Sequence, residues 1–174
     1  MEIKLPLYNL LNMFLTGPVF LGGCVLLFWE NIVNYLNNDI IKSVGTWPEF
    51  VITVLIFAVA YEIGLIINRI GSVMVETMLK KIKFIRFNDD YELFNKKKKQ
   101  YPILETLSQE YALSRTGIAL FFLLTILALF SNVKILSIPL FIIFVVFLFS
   151  CRKHASKIVV LMSTPFENNG DNHE

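Results

Sequence analysis

The chain has 174 residues, 55% of them hydrophobic, with sixteen phenylalanines and a mean hydropathy of +0.61. Those values exceed what a soluble domain of this length ordinarily carries. The net charge of +2 singles out no class of partner, and two cysteines exclude a disulfide framework.

The apolar residues come in blocks long enough to cross about 30 Å of hydrocarbon as helices of about 20 residues. The first block runs from Leu5 to Trp29 and predicts a span over about 8–29, kinked by Pro18 and thinned on one side by Gly17, Gly22 and Gly23. Leu21-Gly22-Gly23-Cys24 resembles the lipobox of bacterial lipoproteins, whose cysteine becomes a lipidated first residue. Such a cysteine is followed by polar linker, whereas Val25 to Trp29 prolongs the apolar run, so an uncleaved span fits better. Trp29 and Trp47 then mark the outer interface, with Glu30 to Trp47 as a short polar outer loop.

The second span is predicted over about 50–69, with Pro48 near its first turn, where a missing N–H is harmless. Glu62, Arg69, Glu76 and Lys83 follow at seven-residue intervals and line one face of a continuous helix, while Gly64 and Gly71 form a smooth edge roughly opposite. If Arg69 marks the interface, Glu62 lies about 10 Å inside it, where an unpartnered carboxylate costs several kcal/mol. Glu62 therefore reads either as a polar element of a pathway or switch, or as a snorkelling or helix-pairing residue. Beyond Arg69 the apolar stripe continues through Ile70, Val73, Met74, Thr77, Met78 and Ile82. The same helix is expected to reach about Phe87 and to gather Lys80, Lys81, Lys83 and Arg86 at its end.

Asn88-Asp89-Asp90 reads as a turn, and Tyr91 to Gln100, with Lys96, Lys97, Lys98 and Lys99, as a solvated tip. Pro102 starts a second amphipathic helix with Leu104, Leu107, Tyr111 and Ser114 on one face. It feeds into a third span over about 116–133, so the emergent helices of about 70–115 form an antiparallel cytoplasmic stalk. Arg115 is expected at the mouth of that span, level with Asn68 and Arg69, with Glu62 or Glu110 as its acidic counterpart. A fourth span covers about 135–151; a tight re-entrant hairpin is the alternative for the third and fourth runs, which are near the lower length limit. Residues 165–174 read as a disordered tail.

Between Asn68 and Arg115 lie ten basic residues against six acidic ones, whereas Glu30 to Glu49 contains only Lys42 as a base. The positive-inside rule puts the central segment in the cytoplasm, together with Arg152, Lys153 and Lys157 after the fourth span. Four spans then leave both termini inside the cytoplasmic (inner) membrane. The fold class expected is an all-α integral membrane protein, a four-span bundle with a cytoplasmic helical hairpin extending spans 2 and 3.

Catalytic motifs are missing: there is no HExxH, GxSxG, Walker loop, CxxC or GxGxxG. His154, in Cys151-Arg152-Lys153-His154, reads as an interfacial anchor, and no metal or cofactor set can be assembled. The polar and small residues Glu62, Gly64, Asn68, Arg69, Gly71, Glu76 and Arg115 are candidates for intramembrane pairing. Lys80, Lys81, Lys83, Arg86 and Lys96 to Lys99 are candidates for a partner- or anionic-lipid-binding surface. Tyr91, Phe94 and Tyr101 beside the lysines add a weak hint of nucleotide or nucleic-acid contact.

In general architecture the chain is similar to small bacterial membrane proteins that act as effectors or anchors beside a cytoplasmic sensor, some anti-phage systems among them. No motif carries that similarity. The function expected is a non-enzymatic, oligomeric membrane subunit that couples to a cytoplasmic protein through its basic stalk and disrupts or gates the membrane. The alternative is a small ion channel or transporter using Glu62.

Overall fold

A computed structural model describes residues 7–36, 49–85 and 91–165, and all regular structure among them is helical. Helix α1 covers Leu7–Leu27, α2 Trp29–Leu36, and α3 Glu49–Ile70. A π-helical turn, Gly71–Val75, joins α3 to α4, Glu76–Lys81. Helix α5 is Tyr91–Gln100, α6 Ile103–Phe130, and α7 Ser137–Ser163, the last entered through a 3₁₀ turn at Lys134–Leu136.

Among the described residues three continuous rods are long and apolar enough to cross a membrane: Phe50–Lys81, Ile103–Phe130 and Lys134–Ser163. A fourth crossing exists if α1 and α2 are one broken span, and their axes differ by 83°. Helix α1 ends at Leu27, close to the expected end of the first span near residue 29, whereas Glu30 to Leu36, expected in a short polar outer loop, are helical in α2. In α2 the apolar residues Trp29, Ile32 and Val33 recur at helical spacing, with Ile32 and Val33 half-buried and Glu30, Asn31 and Asn34 exposed. The bend at Phe28 separates this amphipathic helix from the more uniformly apolar α1. The remainder of the predicted loop, residues 37–48, lies outside the described residues.

Two antiparallel pairs make the bundle. Helices α1 and α3 meet where both lack side chains: a methyl group on Gly17 would overlap the carbonyl of Ala60, and one on Gly64 the carbonyl of Met13. Backbones at that distance gain dispersion contacts that apolar lipid cannot replace, the usual reason for small residues at membrane helix crossings. Helices α6 and α7 run antiparallel along their whole lengths, pairing Phe122 with Phe144 toward the apolar end and Glu110 with His154 at the charged one.

The buried apolar residues fall into two groups. One, Leu27, Ile67, Ala119, Leu120, Leu124 and Ala128, joins α1, α3 and α6 within the apolar region. The other, which includes Leu79, Ile85, Leu104, Leu107, Tyr111, Cys151, Ala155 and Ile158, lies at the charged end. The second core changes the stalk. The chain does not leave the bundle after Cys151: α7 continues unbroken to Ser163 and places Ala155 and Ile158 between the emergent helices. The charged end is therefore a small bundle of α4, α5, α6 and the end of α7, in place of a two-helix hairpin. Its core has the composition of a water-soluble interior, which α3–α4 and α6 alone are too few to enclose.

The second rod ends earlier than expected, at Lys81 instead of near Phe87. Lys83 adopts φ 56°, and the amides of Lys83 and Phe84 donate to the carbonyls of Lys80 and Leu79, each at 3.0 Å. That reversed pair of hydrogen bonds is the helix-terminating arrangement in which a left-handed residue follows the last turn. Arg86, the Asn88-Asp89-Asp90 turn and the tail from residue 166 lie outside the described residues. Pro102 precedes α6 as its N-terminal cap residue, and α6 runs from the stalk through the third apolar block without a break.

Candidate functional site

The side chains that carry chemistry gather where α3, α6 and α7 pass from the apolar region to the charged end. Its first tier is set by Asn68 and Thr116, whose hydroxyl donates to Asn68 Oδ1 at 2.8 Å. That contact puts Asn68 and the mouth of α6 at one depth. One turn further, Gly71 lies against the Arg115 backbone; a Cβ there would sit 2.9 Å from the Arg115 carbonyl oxygen.

The π turn decides what happens next. Its wider winding adds one residue to the turn, which rotates everything after it by about 100° relative to an uninterrupted α-helix. Glu62 and Arg69, before the turn, are exposed; Glu76, after it, swings inward onto α6. The four charges spaced at seven are therefore not on one face, a correction with a definite cause. Glu76 forms an ion pair with Arg115 Nη1 through one carboxylate oxygen and with Lys80 Nζ at 2.9 Å through the other. The Arg115 guanidinium also lies 4.8 Å over the Tyr111 ring.

Arg115 thus takes Glu76, not Glu62 or Glu110, as its counterpart. Both members of the pair are largely buried, at 17% and 18% exposure, so removing either strands a charge at a cost of about 3 kcal/mol. The pairing lies within one chain, so replacing Arg115 by glutamate would damage the stalk itself before any assembly.

A second tier links α6 to α7. Ser114 and Ser150 hydroxyls are 3.1 Å apart, and Ser114 donates to the Glu110 carbonyl at 2.8 Å. His154 Nδ1 lies 2.9 Å from Glu110 Oε2, close enough for an ion pair but off the line of an N–H···O hydrogen bond. His154 is thus a contact between helices and not only a residue of the basic exit segment. Among the described residues no group of three His, Cys, Asp or Glu side chains converges as metal ligands would.

The lysine run is the largest correction. Lys97, expected at a solvated tip, is 2% exposed, and its ammonium donates to the carbonyls of Leu161 at 3.2 Å, Met162 at 2.7 Å and Thr164. The last carbonyls of a helix have no intrahelical donor and carry the negative end of its dipole, so a buried cation there closes α7. The signal was present in the sequence: Phe94, Lys97 and Tyr101 stand at i, i+3 and i+7, and both aromatics pack on the stalk core. Lys96 pairs with Glu92 at 2.7 Å and Lys98 with Glu105 at 3.2 Å. Of the candidate basic surface, Lys81, Lys83, Lys96 and Lys99 remain exposed, beside Arg152, Lys153 and Lys157 on α7.

Glu62 and Arg69 are exposed, on the side of α3 turned away from the other described helices. They share an exposed stripe with Leu55, Val59, Ile66 and Val73, while Ala60, Gly64, Ile67 and Gly71 on the other side of the rod are buried. Comparison with protein-family models, curated proteins and solved structures returns no match.

Proposed function

We propose that the chain is a non-enzymatic membrane subunit of the cytoplasmic membrane. In this reading it crosses four times with both termini inside, associates with further copies through the exposed stripe of α3, and meets a cytoplasmic protein through the stalk bundle. The observation that carries the reading is the stripe itself. Leu55, Val59, Glu62, Ile66, Arg69 and Val73 alternate steps of four and three, the spacing of a two-helix seam, and nothing in the described chain covers them. A carboxyl group on such a face at membrane depth is costly in lipid. A second copy brings another carboxyl to the same depth, and an O–H of one can donate to an oxygen of the other. Past the membrane mouth the same rod keeps Val73, Met74, Met78 and Ile82 exposed at 59–66%, an apolar face that suits a protein partner better than water.

The reading of an effector that disrupts or gates the membrane follows if partner binding at α4 moves α3 within an assembly. The Gly71–Val75 turn is the place where the rod can flex, since π turns are irregularities in the helical ladder. A second reading rests on the outward position of Glu62: within one chain it faces no internal path, so a channel would be lined by Glu62 from several copies around an axis.

The test is disulfide cross-linking in native membranes, with Val59→Cys or Ile66→Cys in a chain carrying Cys24→Ser and Cys151→Ala. Equivalent residues of parallel copies lie at one depth, so both variants are expected to give dimers on oxidation, whereas Phe149→Cys, on an exposed face of α7, is not. Equal cross-linking at all three positions, or none at Val59 and Ile66, refutes the α3 interface.

A further inference from the structure

Below the membrane mouth, α7 and the turn after α4 enclose a shallow cavity of about 440 Å³ lined by Lys83, Phe84, Arg152, Ser156, Val159 and Val160. Two cations and the exposed Ser156 line it, and no acidic residue stands among its described lining residues. One of the two cations, Arg152, rests on an aromatic ring. The Arg152 guanidinium lies 5.1 Å over the Phe84 ring, which fixes a planar fork whose N–H groups match two oxygens of a phosphoryl group.

Lys83 is placed by its backbone. Its φ of 56° is a left-handed conformation that disfavours a side-chain-bearing residue and that glycine adopts freely at helix ends. Lysine at a position better suited to glycine puts an ammonium at the cavity rim. The cavity is larger than a bare phosphate requires, and Phe84, Val159 and Val160 give it an apolar side.

We propose that this cavity binds a phosphate ester, its phosphoryl group between Lys83 and Arg152 with a hydrogen bond from Ser156, and its organic part against Phe84, Val159 and Val160. The site needs one chain only and does not depend on the α3 interface. Two sources supply such a group: the headgroup of an anionic lipid, since Arg152 follows the end of the fourth apolar run, and a soluble phosphate ester.

The full chain in phosphatidylcholine nanodiscs, titrated with phenyl phosphate, tests the second source. The fraction of phosphatidic acid retained from mixed phosphatidic acid and phosphatidylcholine vesicles tests the first. Arg152→Gln and Lys83→Gly are each expected to weaken binding about tenfold in whichever arm binds. Lys83→Gly carries its own control for folding, because glycine relieves the left-handed backbone and should raise the thermal midpoint while affinity falls. Saturable phenyl phosphate binding lost in both variants assigns a soluble ester; selective retention of phosphatidic acid lost in both assigns the headgroup. If neither probe binds the wild-type chain better than the double variant, or if binding survives both substitutions, the proposal is overturned.

Discussion

Replacing Lys97 by methionine keeps most of the stem and removes the ammonium. Wild-type Lys97 donates to three carbonyls at the end of α7, and hydrogen bonds from a charged donor contribute about 1.5 kcal/mol or more each. Against a gross loss of about 4–5 kcal/mol stands the desolvation of a buried ammonium, relieved in the variant, and the return of water to the Thr164 carbonyl at the exposed helix end. The net is about 2 kcal/mol, confined to the contact between α5 and α7. Hydrogen exchange reads this directly, since amides near the end of α7 exchange through local opening. Protection over residues 158–163 is expected to fall about 30-fold in Lys97→Met, with little change in the outer half of α6. Lys96→Met is the control: Lys96 is mostly exposed and its pair with Glu92 contributes less than about 1 kcal/mol. Equal exchange in the two variants would show that the buried lysine does not clasp α7.

At the membrane mouth, Glu76→Gln and Arg115→Met should each lower the thermal midpoint, and the double variant should lose less than the sum. A coupling of about 2 kcal/mol is expected from a denaturation cycle in detergent; an additive result denies the pair. Glu62→Gln separates the two functional readings: altered ion flux in proteoliposomes supports a path lined by Glu62, and identical flux with changed cross-linking supports a pairing role. For orientation, Lys99→Cys should react with a membrane-impermeant maleimide only after the inner face is opened, and labelling of intact cells would reverse the assigned topology.

Much of the architecture is legible in the residues, because lipid imposes requirements that hold one segment at a time. Uncharged runs near 20 residues, Pro102 ahead of an unbroken amphipathic pattern, and Leu104, Leu107, Tyr111 and Ser114 on one face are local facts, and all four of those side chains are buried. Gly64 and Gly71 could be marked as a smooth edge because glycine's lack of a Cβ needs no neighbour to be stated. Which helices press on them, α1 at Gly64 and α6 at Gly71, could not.

What the tertiary structure alone decided is where charge goes. Hydropathy counts Lys97 like the lysines beside it, yet a helix buries one position in three or four, and the end of α7 supplies carbonyls that make burial of that ammonium favourable. Seven-residue spacing assigns Glu76 to the face of Glu62 and Arg69 until one additional residue in a π turn carries it round to Arg115. Composition and periodicity determined that several helices are long and apolar enough to cross a membrane, since those properties depend on each residue's own solvation. The partner of each polar group depends on residues far along the chain, and only their packing could name it.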